Sequence, residues 1–472
     1  MMNTGMKRFF AVLALALTVM QASGQDTLTL ARAIELGLKN NFDVQMSKLS
    51  AEIAANNNNW GQAGRYPTVN LSVNQNNNIV QRKPANPFAV PGRSVNDNLT
   101  GQLDVQFVLF DGFSINITKH QLEQLERISY GNATFVMESV IQNIMLGYYQ
   151  ALLDKENLNV LKTNLAFSKE RYEFVKLRKQ LGGAITFDVL QEQNNYLTDS
   201  ANVLQQQIRY KNALRNLNLL LSDSVNHDYM LADNLVYDDE QYLYEDLKQR
   251  MARSNTNLKN QFINQEILRN TTRLQQSNLY PTIAVNVGGN GSLDQLNADF
   301  RSNTGPEQKS TVGYVNDDPA FPVINTTNRS EFVNQTLTGN SYGGYANLTL
   351  RWTLFNGGQV KRSIENAKVQ EKIGLLSIDQ LQLSLQYDLI STLDLYNLRR
   401  QLVLITEAKL AAAELNLQLA NERYKNGALS AIDLRIVQEN YRNSALEKFL
   451  ATFSALSSKI NLIRLTGGFV QE

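Results

Sequence analysis

The residue types that usually carry catalysis are scarce in this chain of 472 residues. It contains no cysteine, and its two histidines, His120 and His227, lie in unrelated sequence contexts. The sequence therefore offers no histidine-based triad, thiolate metal site or catalytic thiol. Its carboxylates are spread along helical faces. We expect no enzyme, no cofactor and no bound metal, and the net charge of +1 gives no reason to expect nucleic-acid binding.

A polar motif that occurs twice is the first candidate for a functional site. The pattern Arg-x-x-x-Gly, followed six residues later by Asp, spans 178–188 and returns at 423–433. The same offset of 245 residues separates two copies of Leu-Phe-Asp/Asn-Gly, at 109–112 and 354–357. Because the offset is the same, the length between the motifs is preserved. This predicts an internal two-fold structural repeat.

The charged residues of the repeated polar motif can each be interpreted in two ways. Arg178 and Arg423 precede the glycines, and they either dock a partner or cap the C-terminal ends of helices. Asp188 and Asp433 follow the glycines, and they either take part in function or are acids that the helix dipole favours in a first turn. The sequence leaves both readings open.

The N-terminus predicts an exported protein. Lys7 and Arg8 precede an apolar run from Phe9 to Met20, which is too short for a membrane-spanning helix, and small residues follow at 22–24. We interpret residues 1–24 as a cleaved signal peptide. The length of the apolar run disfavours the alternative, an uncleaved anchor.

Proline placement divides the rest of the chain into two kinds of segment. All eight prolines lie in 67–91 and 281–322. Proline breaks helix interiors, so the long proline-free spans can be helical. There, apolar residues recur mostly at spacings of three and four. The predicted helices are Ser114–Gln180, Phe187–Leu221, Gln359–Lys425 and a last one from 432 to about 465.

The proline-bearing segments contain four stretches in which polar and apolar residues alternate, which predicts strands with one apolar face. A soluble sandwich gives the same pattern, but only four such strands occur in a chain that we expect to be exported. Their polar faces carry Asp104 and Arg351, which suits a wet barrel lumen, and Phe107 and Trp352 lie on the apolar faces as an aromatic girdle would. The stretches are 68–74, 102–107, 282–287 and 347–354.

Four strands cannot close a membrane barrel, because the smallest known barrels need eight. The sequence therefore predicts a barrel that several protomers share. The segments 79–98 and 290–342, which separate the paired strands, are expected to be long extracellular loops.

With these motifs in order and in duplicate, the chain resembles the TolC-like outer-membrane efflux proteins along essentially its whole mature length. The resemblance implies a mainly α fold with a small β part. It implies a trimer with a twelve-stranded outer-membrane β-barrel, four strands per protomer, continued by a long α-helical periplasmic barrel of coiled hairpins. The motifs that carry the resemblance are at 28–30, 33–34, 40–41, 66–68, 109–112, 280–282, 354–357, 423–427 and 433–434.

The repeat and the resemblance together predict the domain boundaries. The first repeat is expected at 25–222 and the second at 254–466. An equatorial linker at 223–253 separates them, and a tail covers 467–472. The resemblance places an equatorial belt near 25–42, 223–253 and the C-terminal segment.

The resemblance also implies a gate at the periplasmic end. Asp188 matches an aspartate that contacts a tyrosine of the second hairpin, which is Tyr424 here, and Asp433 matches the acid that forms a ring at the pore constriction. Two positions depart from the family pattern. Leu429 replaces an arginine of the gate, and Ile436 replaces a second acidic ring. These departures predict a less negative constriction without the ion-pair part of the gate.

The tips of the hairpins are implied to dock a periplasmic adaptor. The residues concerned are Arg178, Gly182, Gly183, Arg423 and Gly427.

The resemblance implies a passive exit duct of a tripartite efflux or type I secretion system. Its partners would be two further copies of the chain, the adaptor, an inner-membrane transporter and the lipid bilayer. The rival from another class is a structural periplasmic coiled-coil or adhesin-like protein without a pore. The sequence does not distinguish drugs, metals and polypeptides as substrates.

Overall fold

The computed structural model describes residues 26–86 and 90–469. The predicted signal peptide, at 1–24, and the last three residues of the predicted tail lie outside the described residues. The chain divides into two compact units. One unit is mainly helical and comprises Glu123–Leu268 and the described parts of Met1–Asn57 and Gln370–Glu472. The other contains the long strands and comprises the described parts of Asn58–Leu122, together with Arg269–Val369.

The helices match the sequence prediction closely. The two longest, α3 and α7, have 67 residues each and the predicted bounds. The return helices α4 and α8 have 36 and 35 residues, and each begins one residue before its predicted start. None of the described helices has a window long and apolar enough to cross a membrane. The helices are α1 (Leu30–Asn40), α2 (Phe42–Asn57), α3 (Ser114–Gln180), α4 (Thr186–Leu221), α5 (Tyr244–Ser254), α6 (Thr256–Ser277), α7 (Gln359–Lys425) and α8 (Ala431–Leu465).

The strands form one long sheet and two small pairs. Antiparallel pairing gives the long sheet the order β2-β3-β5-β8. The short strands β1 and β4 pair in parallel, and β6 pairs with β7 as a separate hairpin. The strands are β1 (Thr27–Leu28), β2 (Thr68–Arg82), β3 (Gly92–Asp111), β4 (Met230–Leu231), β5 (Thr282–Ser302), β6 (Glu307–Tyr314), β7 (Pro322–Asn328) and β8 (Glu331–Arg351).

The prediction of two long loops is mostly wrong. Much of 79–98 is strand, because β2 continues to Arg82 and β3 begins at Gly92. The segment 290–342 contains the ends of β5 and β8 and the whole β6–β7 hairpin. The physical reason is that a ladder pairs backbone groups whatever the side chains are. Runs of Asn, Ser and Thr that read as loop by composition therefore continue the strands.

The last predicted strand also ends early. β8 stops at Arg351, so Trp352 lies just beyond it. The Trp352 indole Nε1 donates a hydrogen bond to the Leu279 carbonyl at 3.1 Å. Trp352 therefore does not occupy the predicted girdle position on a strand face.

The core of the helical unit anchors the start of the described chain. Leu28, Tyr148 and Leu231 belong to one buried apolar cluster. The Tyr148 hydroxyl lies 2.7 Å from an oxygen of the Asp233 carboxylate, and the same oxygen accepts a hydrogen bond from the Leu30 amide at 2.8 Å. These contacts hold β1 beside β4, so segments from the predicted belt regions at 25–42 and 223–253 lie together.

Candidate functional site at the two helical turns

The first helical turn ends α3 with a glycine in the left-handed region. Gly182 has a φ of +79°. Its amide donates to the Lys179 carbonyl at 3.1 Å, and the Gly183 amide donates to the Arg178 carbonyl at 2.8 Å. This pair of bonds is a Schellman motif, in which a left-handed glycine lets the chain reverse while the last carbonyls stay bonded.

The second turn, at the end of α7, repeats the motif. Gly427 has a φ of +74°. Its amide donates to the Tyr424 carbonyl at 3.0 Å, and the Ala428 amide donates to the Arg423 carbonyl at 2.8 Å. A Cβ placed on Gly427 would meet no atom within 4 Å, and the same is true of Gly182. Both turns are therefore open on their outer side.

The guanidinium of Arg178 caps its own turn. Its Nη2 donates to the Gly183 carbonyl at 3.0 Å, and the group lies 6.0 Å from the centre of the Phe174 ring. Arg178 thus bonds a carbonyl of its own turn, three residues beyond the last residue of α3. The docking roles of Arg178, Arg423 and the turn glycines stay predictions.

The two aspartates lie in the first turns of α4 and α8, in different surroundings. The Asp188 carboxylate accepts from the Ile185 amide at 3.2 Å, and Ile185, at the N-cap of α4, has no side chain that can cap. Before α8 the N-cap is Ser430, whose Oγ accepts from the Asp433 amide at 3.1 Å and lies 2.7 Å from the Asp433 carboxylate. Both acids stabilise a helix start, and their roles in gating stay predictions.

Tyr424 lies between the two hairpins. Its ring packs edge-on against Phe174, with the centres 5.9 Å apart. The hydroxyl is buried and has no hydrogen-bond partner among the described residues, so it makes no hydrogen bond to Asp188 within this chain. Burial raises the pKa of Tyr424 above its ordinary value. The negative charge of Glu192 acts in the same direction, whereas nearby arginines oppose it.

Sequence reasoning missed a set of buried charges near the turns. Within the first hairpin, Arg171 Nε lies 3.1 Å from the Glu192 carboxylate, and both side chains are almost fully buried. Between the hairpins, Arg435 of α8 binds both oxygens of Asp199 in α4, at 2.6 and 3.0 Å. The hydroxyl of Ser168, in α3, bonds to the same Asp199 carboxylate.

A weak signal for these charges exists in the sequence. Asn164, Ser168, Arg171 and Val175 are buried residues of α3 that follow one another at spacings of four, three and four. Three of them are polar although they occupy the stripe that an amphipathic helix reserves for apolar side chains. Such a polar interruption predicts a buried polar partner but does not identify it.

The sheet brings the two predicted lumen residues to one face. Asp104 of β3 lies opposite Gly288, which lies opposite Tyr345 of β8. The Tyr345 hydroxyl donates to the Asp104 carboxylate at 2.6 Å. Arg351 is six residues after Tyr345, and alternation therefore places it on the same face. Their position in a lumen stays a prediction.

The described residues contain no group of three or more histidine, aspartate or glutamate side chains that could hold a metal ion.

Comparisons with known proteins show the fold. No family model and no curated sequence matches this chain. Among solved structures, the CmeC outer membrane channel of Campylobacter jejuni has a TM-score of 0.67 at 16% identity, over 93% of this chain and 85% of that chain. The outer membrane protein VceC of Vibrio cholerae has a TM-score of 0.67 at 14% identity, over 93% and 96%.

The open state of the MtrE outer membrane channel of Neisseria gonorrhoeae has a TM-score of 0.63 at 14% identity, over 93% of this chain and 89% of that chain. The three neighbours are alike in fold although few of their residues are identical to those of this chain. The resemblance drawn from the duplicated motifs is confirmed: this chain has the fold of the TolC-like outer-membrane channels.

Proposed function

We propose that this chain is the outer-membrane exit duct of a tripartite efflux or type I secretion system, a passive channel that extends into the periplasm. The observation that carries the proposal is the similarity of fold, over 93% of the chain, to proteins described as outer membrane channels. The channel would have no catalytic step. Energy and substrate choice would come from an inner-membrane transporter, which a periplasmic adaptor links to the duct.

The edges of the long sheet support assembly into a trimer. β2 and β8 are the outer strands, with 15 and 21 residues, and no described strand pairs with their free edges. In lipid, each unpaired backbone group costs several kcal/mol, so an open sheet cannot be stable there. Pairing β8 of one copy with β2 of the next, three times, closes a barrel of twelve strands.

The two faces of the sheet support the same arrangement. Val69, Val105, Val287 and Ala346 form an apolar row across all four strands. The next row contains Asp104 and Tyr345 and is polar. A membrane barrel needs one apolar face toward lipid and one polar face toward its lumen. Asp104 and Arg351 would line that lumen.

The two helical turns are the proposed docking and gating end. An added Cβ would meet no atom within 4 Å at Gly182 or Gly427, which leaves room there for an adaptor, whereas at Gly183 it would contact Arg178. The hairpins contact each other through Phe174 and Tyr424 just behind the turns. In the trimer, three copies of Asp433 would surround the pore axis at its narrowest point.

The proposal predicts a stable trimer in the outer membrane. Cells expressing the full chain would be fractionated, and the protein extracted in mild detergent would be weighed by native mass spectrometry. We expect a trimer in the outer-membrane fraction, with a gel mobility that changes on heating. A monomer in the soluble periplasmic fraction would contradict the proposal and favour the structural coiled-coil alternative.

A further inference from the structure

A histidine of the helical unit lies between two carboxylates, beside the first described residue of the chain. His227 Nδ1 lies 2.8 Å from an oxygen of the Asp223 carboxylate, and its Nε2 lies 3.5 Å from an oxygen of the Asp26 carboxylate. The carboxylates contact different nitrogens of the ring, so the three side chains do not converge on one point as metal ligands would. The His227 side chain is 32% exposed, and solvent can therefore exchange protons with it. We name these three residues the His227 cluster.

The position of the His227 ring is fixed by its neighbours. The ring stacks on Tyr229, with the centres 4.0 Å apart, and the Tyr229 hydroxyl donates to the Asp223 carboxylate at 2.6 Å. That hydrogen bond is the main cause that holds the pKa of Asp223 below its ordinary value. The backbone is held separately, because the His227 amide donates to the Ser224 carbonyl at 2.9 Å and Asn218 Nδ2 donates to the His227 carbonyl at 2.7 Å.

The His227 cluster lies at one end of the short pairing between β1 and β4. The Met230 amide donates to the Asp26 carbonyl at 3.1 Å, and the Ala232 amide donates to the Leu28 carbonyl at 3.1 Å. Leu28 is only 1% exposed, whereas the Asp26 side chain is 73% exposed. Among the described residues, Asp26 forms an ion pair with His227 alone. Burial therefore secures the Leu28 end, and the ion pair is what holds the Asp26 side chain.

The charge of the imidazole decides whether it can bind both carboxylates. A protonated ring carries N–H groups on both nitrogens, whereas a neutral ring carries only one. The neutral ring would keep its N–H for the closer contact, with Asp223, and turn a lone pair toward the Asp26 carboxylate. Loss of the proton thus replaces attraction by repulsion at Asp26 and leaves the Asp223 contact in place.

The other charged groups around the His227 cluster come from α1, α4 and the segment after α4. Arg32 of α1 acts on the electrostatics of the cluster. Lys211 and Arg215 of α4 border a small cavity together with Asp228 and the histidine. The three cations oppose protonation of the ring, and the acids favour it. Arginine, lysine and aspartate keep their charges between about pH 5.5 and 8, so the histidine is the side chain of this set that titrates there.

We propose that His227 is a pH-dependent clasp, which holds the Asp26 end of β1 against β4 at mildly acidic pH and releases it as the pH rises above neutrality. The contact with Asp223 persists in both states and keeps the ring in place. Because Leu28 stays buried, the release is limited to the residues before it. This device does not depend on whether the chain conducts.

The test uses the full-length protein in mild detergent at pH 5.5 and pH 8.0. Hydrogen exchange of backbone amides would be followed by mass spectrometry with fragmentation to single residues, and rates would be corrected for the intrinsic pH dependence of exchange. The Met230 amide, bonded to Asp26, reports on the clasp. The Ala232 amide, bonded to Leu28, is the internal control.

We expect the protection of the Met230 amide to fall about two- to fivefold between pH 5.5 and pH 8.0, which is the factor that an exposed ion pair contributes. The protection of Ala232 should stay the same. An equal fall at Ala232 would overturn the proposal, since the change would then not be confined to the Asp26 end.

Two substitutions separate the clasp from other causes of pH dependence. His227→Gln and Asp26→Asn each remove one charge of the pair and keep the approximate size of the side chain. Both variants should show the same low protection of Met230 at the two pH values. His120→Gln changes the other histidine of the chain, which lies in the strand-containing unit, and it should retain the fall.

The decisive comparison is between the wild type and His227→Gln. Cleavage of a signal peptide would create an α-amino group near Asp26, and such a group also titrates near pH 8. Its effect would remain in His227→Gln. A fall in Met230 protection that is as large in His227→Gln as in the wild type would therefore overturn the proposal.

Discussion

The two helical hairpins have almost the same helix lengths and similar turns but different interiors. The first joins helices of 67 and 36 residues and the second joins helices of 67 and 35, and each reverses through a left-handed glycine. Near the turn, the first hairpin buries Arg171, Glu192 and Asp199, whereas the second buries mainly small and apolar residues such as Leu434.

This difference indicates how the hairpins stay together. Arg171 and Glu192 pair within the first hairpin. The Asp199 carboxylate, which is 1% exposed, takes its cationic partner Arg435 from the second. The turn geometry is thus a local property that both hairpins share. The packing between them depends on a charged pair that neither hairpin completes alone, and it can be broken without altering either turn.

The largest expected effect comes from breaking the pair between the hairpins. Arg435→Leu leaves Asp199 as a buried charge without its cation, which should cost about 3–5 kcal/mol. Chemical unfolding followed by circular dichroism measures the loss. Adding Asp199→Asn to Arg435→Leu should recover a large part of it, because the uncompensated charge is then gone.

The second hairpin contains an exposed pair that serves as a control. Lys409 and Glu447 lie 2.5 Å apart, and each side chain is about half exposed. Lys409→Met should cost less than about 1 kcal/mol, since solvent screens exposed pairs. Equal losses of unfolding free energy in Lys409→Met and Arg435→Leu would show that the buried pair contributes no more to stability than an exposed pair.

A smaller effect should distinguish the starts of the two return helices. Ser430 caps α8 with its side chain, whereas Ile185 cannot cap α4 and is 65% exposed. Ser430→Ala should destabilise the protein by about 1 kcal/mol, and Ile185→Ser should stabilise it by up to a similar amount. The measurement is the shift in unfolding free energy of each variant. Changes of the same sign would show that the two starts do not differ in capping.

Local sequence features predicted the turns and the helix ends well. Gly182 and Gly427 mark where helices must stop, because left-handed geometry favours glycine there. The spacing of Asp188 and Asp433 from these glycines placed both acids in first turns. α3 continues through Gly131, although glycine disfavours a helix interior. A Cβ there would lie 1.9 Å from Asn260 Oδ1, so this glycine permits close packing.

Long-range pairing was not predictable from local features. Arg435 and Asp199 are 236 residues apart, and each residue alone reads as an ordinary charge on a helix. The same limit explains why the full length of the strands was not predicted. Asn76 to Asn78 reads as loop by composition, but those residues pair with 96–98 of β3 and continue the sheet. The composition of a segment indicates its intrinsic preference, whereas pairing with a neighbouring strand determines whether the ladder continues.

We propose that the chain forms a channel that narrows at the second turn. Single-channel recording in planar bilayers tests it most directly, with Asp433→Asn and Asp188→Asn as a matched pair of substitutions at equivalent helix positions. We expect the wild type to conduct and to prefer cations, and we expect Asp433→Asn to lose most of this preference and its block by divalent ions. Asp188→Asn should retain the preference. Absence of conductance would contradict a channel, and an unchanged cation preference in Asp433→Asn would contradict a constriction at the second turn.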